Sequence, residues 1–292
     1  MTWIPFPHPD RIRRFARRDP LRFVFHLGDL DPVQWEHAEW FALGATPGVE
    51  VAPGVGDAAG AGDAADAAGV AAPAEPRELL LVYRGLSTPC VQAFGRDGPL
   101  GEALAAALPL LPGAGFLHAE RADLDRVTGP LRLERRADLL RMAWRGFPED
   151  PGELGAARAR RLGPADVPQL LDLLRESYPG THFEPVQLLR APAYGVEEDG
   201  HLVACAGLHV LSGMEGVAML GNIATRPGRR DAGLARAATA ALLAHVAGGV
   251  EHVGLNVRAD NAPGRALYRR LGFVDAFPYQ ECAYSRASRE SS

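Results

Sequence analysis

At 292 residues the chain is long enough for two compact domains or one large one. Its apolar content of 47% and charged content of 23% are those of an ordinary globular protein, and a net charge of −5 supplies no basic field for general nucleic-acid binding. Cys90, Cys205 and Cys282 are far apart and form no CxxC pair, which points away from a disulfide framework or a zinc site.

No apolar run approaches the roughly 18 residues of a membrane span. The opening stretch "MTWIPFPHPDRIRRFARRDP" places Pro and Arg where a secretory signal needs unbroken apolar sequence. The expectation is a cytoplasmic protein with no membrane, nucleic-acid or metal partner, a monomer or a homodimer. Taken in chain order, "DRIRRFARRDPLRFVFHLGDL" predicts two short helices, and "QWEHAEWFAL" a strand or short amphipathic element. Residues 44–76 are almost wholly Ala, Gly, Pro, Asp and Val; they cannot bury enough surface to offset the entropy of ordering them, and read as a flexible insertion. "RELLLVYRG" and "CVQAFGR" predict two strands about the turn "LSTP". A helix follows over "GPLGEALAAALPLLP", ended by Pro109 and Pro112. Further strands fall at Phe116–Ala119 and Leu139–Trp144. "FPEDPGELGAA", 147–157, reads as a linker, which divides the chain into an N-terminal α/β domain (1–146) and a C-terminal domain (158–292).

The second half has a clearer rhythm. "GPADVPQLLDLLRESYP" is a helix with Leu170, Leu171, Leu173 and Leu174 on its apolar face. "AYGVEEDGHLVACAGLHVL" is a hairpin about Asp199-Gly200, and "GVAMLGNIATRP" a strand stopped by Pro227. A helix spans about 233–247, closed by Gly248-Gly249. "EHVGLNVRAD" is a strand, "NAPGRALYRRLG" a helix capped by Gly272, and "FVDAFPYQECAYSR" a closing strand. Hairpins first and a crossover helix later predict an α+β fold: a mixed, mostly antiparallel sheet flanked by helices.

One segment carries chemistry. In "RPGRRDAGLARAATAALLAHV" two arginines and two glycines stand directly before a long Ala/Leu helix. Bare backbone N–H groups at a helix start, with the positive end of its dipole, suit a phosphate or pyrophosphate. Gly233 permits close approach, Ala235 keeps the next turn slim, and Arg229 and Arg230 add charge-assisted donors. Taken alone, this loop reads first as an ordinary surface turn with a basic rim.

Arg230-Asp231-Ala232-Gly233-Leu234-Ala235 matches Arg/Gln-x-x-Gly-x-Gly/Ala at every defined position, and "LNVRADNAPGRALYRRLGF" follows on a strand and helix. In these two motifs residues 160–285 resemble the GNAT family of acyl-CoA-dependent N-acetyltransferases, close to its FR47-like subgroup. The resemblance implies that fold for 158–292 and direct transfer of an acetyl group from acetyl-CoA to a primary amine. Backbone amides of Arg230, Asp231, Ala232, Gly233, Leu234 and Ala235, with Arg229, would hold the pyrophosphate. Ile223, Ala224 and Thr225 would pair with the pantetheine arm, Asn261 would bond its amides, with Arg265 nearby, and Tyr268 would protonate the departing thiolate. Asp231 departs from the Gly or Asn usual there and brings a negative charge to the phosphate path. The strand glutamate of many members is replaced by Met219 and Leu220, so the base stays open between His209, Glu215, Glu281 and a water relay. These departures leave a catalytically silent acyl-CoA-binding protein as the alternative function. The first half has no such loop; it reads either as a degenerate copy of the same fold or as an unrelated α/β domain walling the acceptor cleft.

Overall fold

The computed structural model describes residues 1–44, 75–179 and 183–287; most of the expected insertion at 44–76 lies outside them. The first half runs β1 (Trp3–Pro5), α1 (Pro9–Ala16), α2 (Val24–Gly28), α3 (Pro32–Trp35), β2 (Ala38–Leu43), β3 (Glu78–Tyr83), β4 (Cys90–Ala93), α4 (Glu102–Ala107), β5 (Ala114–Ala119), α5 (Arg121–Arg126) and β6 (Leu131–Trp144). The second half runs β7 (Ala159–Arg161), α6 (Val167–Ser177), α7 (Pro185–Arg190), β8 (Tyr194–Glu198), β9 (His201–Ser212), β10 (Val217–Thr225), α8 (Leu234–Val246), β11 (His252–Arg258), α9 (Ala262–Arg270) and β12 (Phe273–Arg286). Every strand and helix expected of the second half is present. Strand β7 and the short helices α5 and α7 have too little periodicity to show in the sequence.

The twelve strands among the described residues form one sheet, in the order β1-β2-β3-β4-β5-β12-β6-β11-β10-β9-β8-β7. The only parallel pairs among them are β4 with β5 and β10 with β11, so the sheet is mixed and mostly antiparallel. The order is symmetric about its centre. Each half lays down an antiparallel series, then a parallel pair across a helix, and sends its last strand into the other half. β6 lies between β11 and β12, and β12 lies between β5 and β6. Segment 147–157 between the halves is packed: Leu154 is buried against the α8 core and Phe147 meets the Trp144 ring edge-on.

Inner strands are buried on both faces, as their apolar runs require. In β3, Leu79 and Leu81 face the cluster built on α1 and α2, while Leu80 and Val82 face the one built on α4. Helix α8, rich in Ala, packs closely on β9 and β10, with Ala238, Ala240, Leu242 and Leu243 fully buried. The Asp199-Gly200 turn has φ of 50° and 76°, the left-handed pair a two-residue hairpin needs.

Candidate active site

Strands β10 and β11 pair in parallel only from Val217↔His252 to Leu220↔Leu255; beyond that each continues, β10 to Thr225 and β11 to Arg258, without the other. At the same point β10 carries a bulge against β9. Pairing passes from Gly221↔Gly207 to Ala224↔Cys205, so three steps on β10 oppose two on β9, and Asn222 takes a left-handed φ of 51°. The parting of the strands opens a cleft of about 1670 Å³.

One wall of the cleft is the start of α8. Asp231 and Gly233 both have positive φ, 64° and 73°, and Gly233 caps the helix with no side chain on its amides. Two left-handed residues around an uncapped 13-residue helix form a concave run of N–H groups suited to an anion. This backbone also accounts for the residue types. Position 231 needs a left-handed conformation, which Gly and Asn adopt readily and Asp next best. Arg230 to Ala235 line the cleft, as do Ile223, Ala224, Thr225, Asn261 and Tyr268. Asn261 is held in place as the cap of α9, its Oδ1 accepting from Gly264 N at 3.0 Å. Arg236, Arg258 and Arg270 line it as well; the sequence, with arginines spread along most of its length, offered no signal to single them out.

Two expected cofactor residues stand apart. Arg229 is ion-paired with Glu198, and Arg265 donates to Ala259 O at 3.2 Å and to Asp275 at 3.0 Å; neither lines the cleft. Of the three catalytic candidates, the structure brings two together. Tyr268 is 8% exposed, its ring edge-on to Phe273, and its hydroxyl has no hydrogen-bond partner among the described residues. Burial, with Tyr178 nearby, raises its pKa, so the phenol is protonated through the neutral range. His209 lies over Gly221 where the bulge begins: a Cβ added to Gly221 would sit 1.9 Å from the imidazole Nε2. Its side chain is exposed on the cleft wall, its nitrogens free among the described residues, and desolvation by the strands and helices about the cleft lowers its pKa to about 4, leaving it neutral. Glu215 is elsewhere. Its buried carboxylate is gripped by Arg13, through Nε at 2.9 Å and Nη2 at 2.8 Å, and by Arg17, and it does not line the cleft.

The first half completes the cleft with Cys90, Gln92 and His118 from β4 and β5, facing Glu281 of β12. His118 Nε2 lies 2.9 Å from Glu281, 3.9 Å from Cys90 Sγ, and its Nδ1 is 3.0 Å from the Gln92 amide. Burial alone would lower the His118 pKa; Cys90 and Glu281 outweigh it and raise it to about 10. The helix start in the corresponding place of the first half is closed. Asp123, wholly buried on α5, accepts from Leu100 N at 2.9 Å and Gly101 N at 2.6 Å at the start of α4. Strands β4 and β5 stay paired to their common end at Ala93↔Ala119.

With this geometry, residues 167–273 match the model of the acetyltransferase (GNAT) family and form a GNAT acetyltransferase domain. A 95-residue stretch is 42% identical to the mycothiol acetyltransferase of Clavibacter michiganensis, covering 32% of this chain; the chain spans 29% of that relative's length. The whole chain is similar in fold to a Drosophila protein (TM-score 0.63, 13% identity, 97% of this chain and 98% of that one). It is also similar to a GCN5-related N-acetyltransferase from Sphaerobacter thermophilus (0.53, 15%, 98% and 96%) and to a GNAT-family protein from Novosphingobium aromaticivorans (0.54, 22%, 72% and 89%). Among the described residues no helix is long and apolar enough to cross a membrane.

Proposed function

We propose that this protein is an FR47-like N-acetyltransferase that moves the acetyl group of acetyl-CoA directly to a primary amine, with one active site in the second half. The observation that carries the reading is the joint placement of an uncapped helix start, parted parallel strands and a bulge on one cleft. Amides of 230–235 hold the pyrophosphate, with Arg230 as the cationic partner, while Ile223 to Thr225 and Asn261 align the pantetheine arm. Backbone N–H groups at the bulge polarise the thioester carbonyl as charge develops on its oxygen. His209, neutral and free, takes the proton lost by the attacking amine, and Tyr268 gives one to the departing thiolate. Arg229 and Arg265 act outside the cofactor, and Glu215 fastens α1 to the second half.

The first half is read as a silent copy of the same fold rather than an unrelated domain. Its strand order mirrors that of the second half, its parallel strands do not part, and Asp123 fills its anion position with a carboxylate of the chain's own. It serves instead as the far wall of the acceptor cleft. Calorimetric titration with acetyl-CoA tests the whole reading: one site per chain is expected, abolished by Arg230→Glu, and no heat at millimolar cofactor would end it. Release of free thiol in the presence of an amine panel separates the enzyme from a silent acyl-CoA-binding protein.

A further inference from the structure

Two ionisable groups on the acceptor side of the cleft, one acidic and one basic, have no ionic partner among the described residues. Asp29, at the C-terminal end of α2, is 7% exposed, lines the cleft, and makes no side-chain hydrogen bond or ion pair among the described residues. Helix α2 is pressed onto β9 so tightly that a Cβ on Gly28 would come within 2.2 Å of Val210 Cγ1, and this places Asp29 beside the strand that carries His209. Among the described residues Arg190, the last residue of α7, donates only to neutral oxygens: Tyr83 Oη at 3.1 Å and Gln34 Oε1 at 3.3 Å. The other nearby carboxylate, Glu184, accepts from Ser87 N and Oγ at 2.8 and 2.7 Å. Tyr83 reports that both charges are close to it: burial raises its pKa most, the Asp29 carboxylate raises it further and the Arg190 guanidinium lowers it.

Burial without a partner pushes the Asp29 pKa well above the usual carboxylate range, so an ammonium seated beside it would both favour its ionised form and be held by it. Asp29 and Arg190 flank one hydroxyl yet do not pair with each other, so a ligand with a cation at one end and an anion at the other would match the two. Phe25, one turn before Asp29 on α2, and Leu139 of β6 line the same wall and suit an aliphatic stem. We propose that the acceptor is a diamino acid. Arg190 holds its carboxylate, Asp29 holds the ammonium that does not react, and the remaining amine faces His209 and the bulge. The inference rests on the acetyltransferase reading and narrows its acceptor. A free diamino acid and a basic C-terminal residue of a peptide present the same groups.

The test uses the full chain, acetyl-CoA and matched amines: L-lysine, L-lysinamide (no carboxylate), L-norleucine (no second cation), glycyl-L-lysine and D-glucosamine. Losing one charge-assisted contact corresponds to about a 10- to 100-fold change. Thus kcat/KM for lysine or glycyl-lysine should exceed that for lysinamide and norleucine by that factor, and which of the two lysines is better tells the free acid from the chain end. Asp29→Asn should erase the advantage over norleucine only, and Arg190→Met the advantage over lysinamide only, each through KM. Acetyl-CoA titration of both variants should match the parent, which also shows that they fold. Equal use of the matched amines, a preference for glucosamine, or variants that slow all amines alike would overturn the proposal. In each of those cases acetyl-CoA still binds and acetyl transfer stands; absence of acetyl-CoA binding in the parent is the separate failure of the underlying function.

Discussion

The Tyr268 side chain is set up for a clean experiment, because its ring is packed while its hydroxyl makes no hydrogen bond among the described residues. Tyr268→Phe removes the proton and keeps the packing, so Tm should change little. We expect kcat to fall by about 10- to 1,000-fold, the range of a lost general acid, with acetyl-CoA affinity within a few-fold of the parent. Normal turnover would make Tyr268 a packing residue and water the proton source. Asp231 is the second informative residue. Its left-handed backbone is tolerated by Asn equally well, so Asp231→Asn subtracts only a charge facing the phosphate path. Repulsion across a few ångströms of solvated space is about 1 kcal/mol, so the acetyl-CoA Kd should tighten by about two- to fivefold. The gain should shrink at high salt. A Kd that does not move, read by calorimetry at two ionic strengths, would place the carboxylate off the phosphate path.

At the scale of elements, the contrast between α8 and α4 shows how one arrangement is opened and the other shut. Both helices follow the first strand of a parallel pair. The amides before α8 face the cleft, whereas Leu100 N and Gly101 N before α4 are taken by Asp123. The sequence "FGRDGPLGEALAAAL" shows a Gly-led helix start, but the plug comes from twenty-odd residues downstream and cannot be seen from the loop itself. Asp123→Ala should cost about 2–3 kcal/mol, combining a lost cap with two buried donors left unpaired. Urea unfolding measures this. Acetyl-CoA stoichiometry should stay at one site per chain, because β4 and β5 still do not part.

The whole molecule is held by exchange. Strand β6 makes its longest pairing with β12, from Phe273↔Trp144 to Arg286↔Leu131, and its other edge with β11. At the crossing, Arg141 is fully buried. It donates to the carbonyls of Leu21 and Arg22 at 2.8 and 3.0 Å and to Asn256 at 3.1 Å, among the rings of Phe25, Phe94, Phe277 and Tyr279. A fragment of residues 147–292 therefore lacks the strand that joins β11 to β12 and exposes two unpaired edges. Expressed alone it should aggregate or pair with a second copy, and co-expression with 1–146 should restore a soluble 1:1 complex. Light scattering after gel filtration decides this, and a folded monomeric fragment would contradict it.

What the sequence determined by itself was local and periodic. The Asp-Gly hairpin, the Ala/Leu helix, the Gly233 approach and the Asn261 cap are each set by a few adjacent residues whose backbone preferences act within one turn or one strand. The Gly-led start of α8 was readable for that reason, and so was the mixed, mostly antiparallel sheet. Tertiary structure alone decided everything that depends on distant segments meeting. It gave Glu215 to Arg13 rather than to the cleft, turned Arg229 and Arg265 to other carboxylates, and set His209 over Gly221 through a bulge one residue long. It also brought Asp29, Tyr83 and His118 from the first half into the cleft opened by the second. These outcomes follow from strand register and from which last strand inserts where, and both are settled by burial of whole faces rather than by the preferences of neighbouring residues.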